Sequence, residues 1–451
     1  VGFGSRHFLK IIAAILVTGI LAGLYWYGAS IQMTEVNTGA AIDQDAYIQY
    51  AINLYESNYT YIGDHNRMPV YPFLQSLFYQ HTMRKRIFFQ EGKLRNLILS
   101  LLILAGLAYI FFRRFKPLHA FNSILIIAFT IFIFKAGWFQ TEVLFYFLNF
   151  IMFYLMWCLL QQPSYLLAIL AGLTAGIAHL TKASILPGLI IWLLVAGLQQ
   201  LWSIFKIRNQ PSREDTFSLS KTRIWVVPIT GLVFLATIFP YIQNSKRVFG
   251  HYFYNVNSTF YIWYDSWEQA NNGTKAHGDR VGWPDMPPEE IPSMSKYLHE
   301  HTPTQIVMRF VNGAQAVMGQ VIHSYGYFKY IAFYMSLLLL AAILKWKQAK
   351  ESIRTNPFLV LFATLYFATY FLLYFWYAPI TSDNRLILAQ FIPILFAVSA
   401  GLHALLSKTS IQVGKYKLQV LSVINLAILA VLPVDIYIIL TMRVGQMIGG
   451  K

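Results

Sequence analysis

The chain alternates long apolar runs with short polar connections and two long connections of mixed character. A membrane-spanning helix needs about 20 predominantly apolar residues. Runs of this kind cover 8–30, 96–112, 118–135, 141–160, 164–181, 184–204, 223–243, 322–344, 357–378, 385–406 and 418–440. Backbone polar groups find no water in lipid, so such runs fold as helices. The pattern predicts an all-α integral membrane protein, a single polytopic domain over 1–451 with about 11 spans. Segments 31–95 and 244–321 are too long to be simple turns.

The first long connection has a periodicity of its own in "AIDQDAYIQYAINLYE", residues 41–56. Wound as a helix, Tyr47, Tyr50, Ala51 and Leu54 share one face, and Asp45, Gln49, Asn53 and Glu56 share the opposite one. This predicts an amphipathic helix lying on the outer membrane surface. Asp45 falls on the polar face and is expected in solvent. Asp43 aligns with Tyr47 and Leu54 on the apolar face. A carboxylate there is costly unless it caps the helix or has partners and a task, and both readings stand. Further on, "DHNRMPVYPFLQSLFY" places Pro69 and Pro72 ahead of a second short helix expected at 72–80.

Composition agrees with the pattern. Hydrophobic residues make up 57% and charged ones 12%, about half the charged share of soluble domains. The net charge of +16 reflects topology in such a chain, and no nucleic-acid partner is expected. The connections "FFRRFKP", "FKIRNQPSREDTFSLSKTR", "KWKQAKESIRTN" and "SKTSIQVGKYK", with Arg6 and Lys10, hold 17 basic residues. They are expected in the cytoplasm, with the N-terminus, in a multi-pass cell-membrane protein. The two long connections then face outward, periplasmic or extracellular. They carry six and seven acids, with Glu142 and Asp383 at the outer ends of spans. The first span, 8–30, lacks a clear small-residue cleavage site and is expected to be retained. Asp435 lies near the outer end of the last run and is expected to be solvated. The single cysteine, Cys158, allows no intrachain disulfide and reads as a small buried hydrophobe.

Candidate chemistry collects on the outer side. Arg67 precedes the Pro69 turn, where a guanidinium can fork onto a phosphate or anchor to lipid headgroups. Glu142 sits at the mouth of the fourth run. Lys182, in "IAHLTKAS", either snorkels to the interface or meets a phosphate. His179, one turn earlier, reads first as a hydrogen-bonded helix-end histidine. Arg385 leads the span that contains "FIP" and is another phosphate candidate. The "DQD" string matches a metal-holding DxD motif, but in a helix its two side chains diverge by about 160°. No HExxH or other spaced histidine cluster is present, so no metal is assigned and no cofactor is required.

An acid-then-tyrosine helix after the first span, "R-x-P-x-YP", the acid of "WFQTEVLF", "LTK", and an arginine leading a span with "FIP" occur here in order. In that order they resemble the GT-C glycosyltransferases. The nearest branch holds the dolichyl-phosphate-mannose–protein mannosyltransferases and the bacterial aminoarabinose transferase of lipid A. The resemblance covers most of 8–406. It implies a polyprenyl-phosphate sugar as donor, a glycan, lipid or protein acceptor, and an active site at the outer membrane boundary. It implies Asp43 as the catalytic carboxylate, with Arg67, Arg385 and Lys182 at the donor phosphate. Glu142, Tyr47, Tyr71 and His179 are implied as substrate contacts. The family often shows Asp-Glu where this chain has Asp43-Gln44, which leaves the second carboxylate unassigned. The second outer segment is expected to cap the cavity and help select the acceptor, with Asp265 and Glu268 as surface residues. A transporter or flippase of lipid-linked saccharides is the alternative. It calls for a repeat symmetry and mid-membrane ionisable groups that the sequence does not display.

Overall fold

A computed structural model describes residues 2–40, 42–61, 63–209, 214–323, 328–381 and 384–446. Asp383, predicted at a span end, lies outside the described residues. Helices dominate, in the order α1 (Gly2–Ile31), α2 (Ile42–Glu56), α3 (Val70–Ser76), α4 (Lys85–Arg114), α5 (Pro117–Ile127), α6 (Ile133–Lys135), α7 (Glu142–Gln161), α8 (Tyr165–Thr181), α9 (Leu186–Asn209) and α10 (Glu214–Phe249). The second long connection adds α11 (Val256–Thr259), α12 (Trp267–Asn272), α13 (Met294–Glu300) and α14 (Pro303–His323). The remaining helices are α15 (Lys329–Leu344), α16 (Trp346–Thr355), α17 (Pro357–Tyr377), α18 (Arg385–Leu388), α19 (Phe391–Leu406) and α20 (Val420–Ile438).

Among the described residues, 8 helices are long and apolar enough to cross a membrane, or 9 if the α15–α16 pair, bent by 102°, counts as one span. The chain is a multi-pass membrane protein. The remaining predicted runs fold as shorter apolar helices, α8 and α19. Run 385–406 is broken because Pro393 cannot donate to the carbonyl of Ala389. That carbonyl accepts from Asn149 Nδ2 instead, at 2.7 Å. The expected helix at 72–80 forms at Val70–Ser76. One departure from the all-α expectation is a hairpin, β1 (Ser410–Val413) with β2 (Tyr416–Gln419). Gly414 supplies the positive φ its turn requires.

Helix packing follows small residues. On α8, a Cβ at Gly172 would lie 2.6 Å from the Thr230 carbonyl oxygen, and one at Gly176 2.6 Å from Thr237 Cβ. These bare positions let α8 and α10 lie backbone against side chain, the means by which helices associate in lipid. Apolar residues such as Ile15, Leu102 and Leu232 face outward, as a lipid-facing surface requires. Cys158 is buried as expected, and its sulfur accepts from Arg114 Nη2 at 2.9 Å.

Three of the basic connections meet at one end of the bundle. Lys116 bonds the Ser407 carbonyl at 3.4 Å, and Lys345 bonds that of Leu405 at 3.3 Å. The 30 residues of α4 run from Lys85, paired with Asp45, to Arg114 beside this end, a length of about 45 Å. The first long connection therefore packs at the opposite end. There Tyr47, Ile48, Ala51 and Ile52 of α2 join Tyr71, Tyr79, Phe88, Phe89 and Phe139 in a separate aromatic core. This corrects the expectation of a membrane-surface helix: the apolar face of α2 is covered by protein, because α3 and the start of α4 fold onto it. Asp435 is also corrected. It is mostly buried and pairs with Lys329 and Tyr330, since a carboxylate in a span needs a partner.

Candidate active site

Asp43 is the second residue of α2, where the positive end of the helix favours a carboxylate. Its neighbour Gln44 fixes that turn. The Gln44 amide is fully buried and bonds reciprocally with Asn37, Nδ2 to Oε1 at 2.8 Å and Nε2 to Oδ1 at 2.6 Å. Gln44 Oε1 also accepts from the Phe139 backbone at 2.8 Å, and the Asn37 carbonyl accepts from Lys93 Nζ at 2.7 Å. An amide, with a donor and an acceptor, suits this position where a carboxylate would lose the bond given to Asn37.

Arg67 comes from a tight turn. Gly63 and His65 have φ of 77° and 51°, and Asp64 Oδ1 accepts from the backbone of Asn66 at 3.1 Å and Arg67 at 3.2 Å. His65 is buried with its ring stacked on Tyr241, centroids 4.5 Å apart. Burial pulls its pKa down to about 4, so the ring stays neutral near pH 7. Arg385 is set by the broken helix described above. Its carbonyl accepts from Tyr146 of α7 at 3.2 Å. Glu142 opens α7, and Lys182 follows the last residue of α8.

These residues, up to 342 positions apart in sequence, form one ion network. Asp43 Oδ1 accepts from Arg67 Nη2 at 2.7 Å, and Oδ2 accepts from Arg385 Nη1 at 2.6 Å. Arg385 Nη1 lies 3.6 Å from Glu142 Oε1, and Lys182 Nζ lies 3.7 Å from the same oxygen. Asp64 Oδ2 lies 3.7 Å from Arg67 Nη1. The Asp43 side chain is 34% exposed, whereas Glu142 is 3% exposed and its Oε2 has no hydrogen-bond partner among the described residues. Burial alone would push the Asp43 carboxyl up. The Arg385 and Arg67 guanidiniums outweigh it and hold the pKa at about 2.

The other named residues frame the cluster. Tyr47 lies under the Arg67 guanidinium, 5.8 Å from ring centroid to Cζ, and meets Tyr71 edge-on at 5.5 Å. Burial raises the pKa of both phenols, so they stay protonated. His179 is buried edge-on against Phe234 and takes part in no ion pair among the described residues. Its Nδ1 has no hydrogen-bond partner among the described residues. Asp45 is half-exposed and pairs with Lys85 at 2.6 Å, well apart from Asp43's partners.

In the second long connection, Asp265 is held by Tyr297 at 2.8 Å, Arg309 at 2.9 Å and His301 at 2.9 Å. It remains exposed, as expected, at 44%, although a buried arginine reaches it. Glu268 is exposed. Among the described residues, no group of three or more His, Cys, Asp or Glu side chains is arranged to hold a metal ion. The sequence points to Gln44 only as the neighbour of Asp43, and assigns no role to Asn37, Asp64 or Lys93. Gln44 had a signal, since it shares a helix face with Ile48, Ala51 and Ile52. Comparison with family models, curated proteins and solved structures returns no match for this chain.

Proposed function

We propose that the protein is a glycosyltransferase that moves a sugar from a polyprenyl-phosphate donor to an acceptor at the outer face of the membrane, with inversion. The observation that carries this reading is Asp43, a half-exposed carboxylate between two guanidiniums at the end of the bundle away from the basic connections. Arg67 and Arg385 suit the single phosphate of such a donor, because guanidiniums fork onto phosphate oxygens. Lys182 adds a third cation close by.

The chemistry balances on these groups. The acceptor O–H attacks the anomeric carbon as Asp43 takes its proton. A new C–O bond forms, the anomeric bond to phosphate breaks, and its electron pair leaves with the polyprenyl phosphate. Arg67 and Arg385 stabilise that developing anion. General base help of this kind contributes roughly 100- to 10,000-fold. Burial keeps Tyr47 and Tyr71 neutral as walls of the site. The second long connection lies over the same end, with Asn255 Nδ2 donating to the His65 carbonyl at 2.8 Å. That contact supports a role for this connection in selecting the acceptor.

The test is incubation of the purified protein with labelled polyprenyl-phospho-sugars and a membrane extract, then isolation of labelled product. A new glycosidic product supports the reading. Movement of the lipid-linked sugar across liposomes with no new bond would favour a flippase instead.

A further inference from the structure

The cations that face the site already hold an anion, and that anion belongs to the protein. Each oxygen of Asp43 takes one guanidinium, Arg67 at 2.7 Å and Arg385 at 2.6 Å. A phosphate ester offers its oxygens to a pair of guanidiniums in a similar fork. Among the described residues, three acids, Asp43, Asp64 and Glu142, form ion pairs here with three bases, Arg67, Lys182 and Arg385. Their formal charges cancel, so an entering phosphate leaves the cluster with an excess of negative charge. One carboxylate then has to let go.

The surroundings select which one. Glu142 is almost fully enclosed, at 3% exposure, in the first turn of α7. Asp64 is tied to two backbone amides. Asp43 is the most exposed of the three, and among the described residues its oxygens bond only the two guanidiniums. Resting on the reading above, we propose that Asp43 occupies the phosphate site of the empty protein and that a polyprenyl phosphate enters by exchanging with it. Binding then frees the carboxylate that serves as base. The clamp that keeps Asp43 a weak base in the empty protein is the one the donor opens. Base activity is thereby tied to donor loading, and water is not activated at an empty site.

The test uses purified full-length protein in lipid nanodiscs and a bare polyprenyl monophosphate, which carries no sugar and cannot react. Asp43→Asn should bind this lipid about tenfold tighter than the wild type, since a competing internal anion is gone. Arg385→Ala and Arg67→Ala should each bind it about tenfold more weakly. If the arginine variants weaken binding but Asp43→Asn equals or falls below the wild type, the exchange is wrong and the phosphate site stands. If neither arginine variant alters binding, the phosphate assignment itself fails. A second measurement needs no variant. Infrared difference spectra of the wild type on adding the lipid should show a carboxylate band moving toward the unpaired position. An unchanged carboxylate region overturns the exchange.

Discussion

Two aspartates of this protein each meet an arginine, and they are built for different work. Asp265 receives Tyr297, His301 and Arg309, and Arg309 spends its other donors on the carbonyls of Trp376, Ile262 and Tyr264. That guanidinium is 4% exposed and stacked over Trp376 with Cζ 4.3 Å from the ring centroid. Its partners are backbone atoms that cannot leave, so it braces the second long connection against α17. Asp43 meets guanidiniums that, among the described residues, also pair with the side chains of Asp64, for Arg67, and Glu142, for Arg385. Those pairs, at 3.7 and 3.6 Å, are looser than the 2.7 and 2.6 Å contacts to Asp43. An ion pair set in backbone bonds fixes a fold. In the proposed mechanism the Asp43 pairs exchange for a ligand instead.

The largest expected difference between them is in transfer. Asp43→Asn should lower sugar transfer by roughly 100- to 10,000-fold, read as labelled product per unit protein. Asp265→Asn should keep transfer and lower the thermal midpoint in detergent instead. Reversal of this pattern would invert the assignment of the two sites.

Next in size is the arginine comparison. Arg309→Ala should destabilise the protein by about 3 kcal/mol, because it leaves three backbone carbonyls short of a donor. Arg67→Lys and Arg385→Lys should fold normally and lose about tenfold in donor efficiency, since a lysine cannot fork. Equal unfolding midpoints for Arg309→Ala and the wild type would remove the bracing role.

Gln44→Ala tests the platform under Asp43. It strands Asn37 Oδ1 and the Phe139 N–H, while Asn37 Nδ2 keeps the Gly137 carbonyl, at a cost of about 1 to 3 kcal/mol. Urea or thermal unfolding in detergent reads it, and an unchanged midpoint would show that the amide pair contributes nothing.

Much of this arrangement was legible in the sequence, for identifiable reasons. Apolar runs announce helices because lipid leaves the backbone no other choice. Asp43, Arg67, Glu142, Lys182 and Arg385 stood out because charge is scarce in such a chain, and the fold gathers all five. The breaks were harder. Pro393 marks one, but only the fold supplies Asn149 as the donor to Ala389. The clamp was not visible either, because pairing distances depend on how α2 and α18 approach. Asp265 is exposed as expected, but its pairing was hidden because Arg309, its buried partner, lies 44 positions away.

The smallest expected effect is on pH. The folded pKa of Asp43, about 2, lies below its ordinary 3.8. A depressed carboxyl contributes stability that is complete above 3.8 and is lost as pH falls through about 2. The wild-type midpoint should therefore fall across that window more than that of Asp43→Asn. Parallel curves would mean that the clamp adds no stability.

Whether Asp43 is the base is decided by comparing wild type and Asp43→Asn with one labelled polyprenyl-phospho-sugar at saturating donor and acceptor. The wild type should yield labelled glycoside, and the variant none above background even though it still retains the lipid. Product from the variant at the wild-type rate would contradict that role.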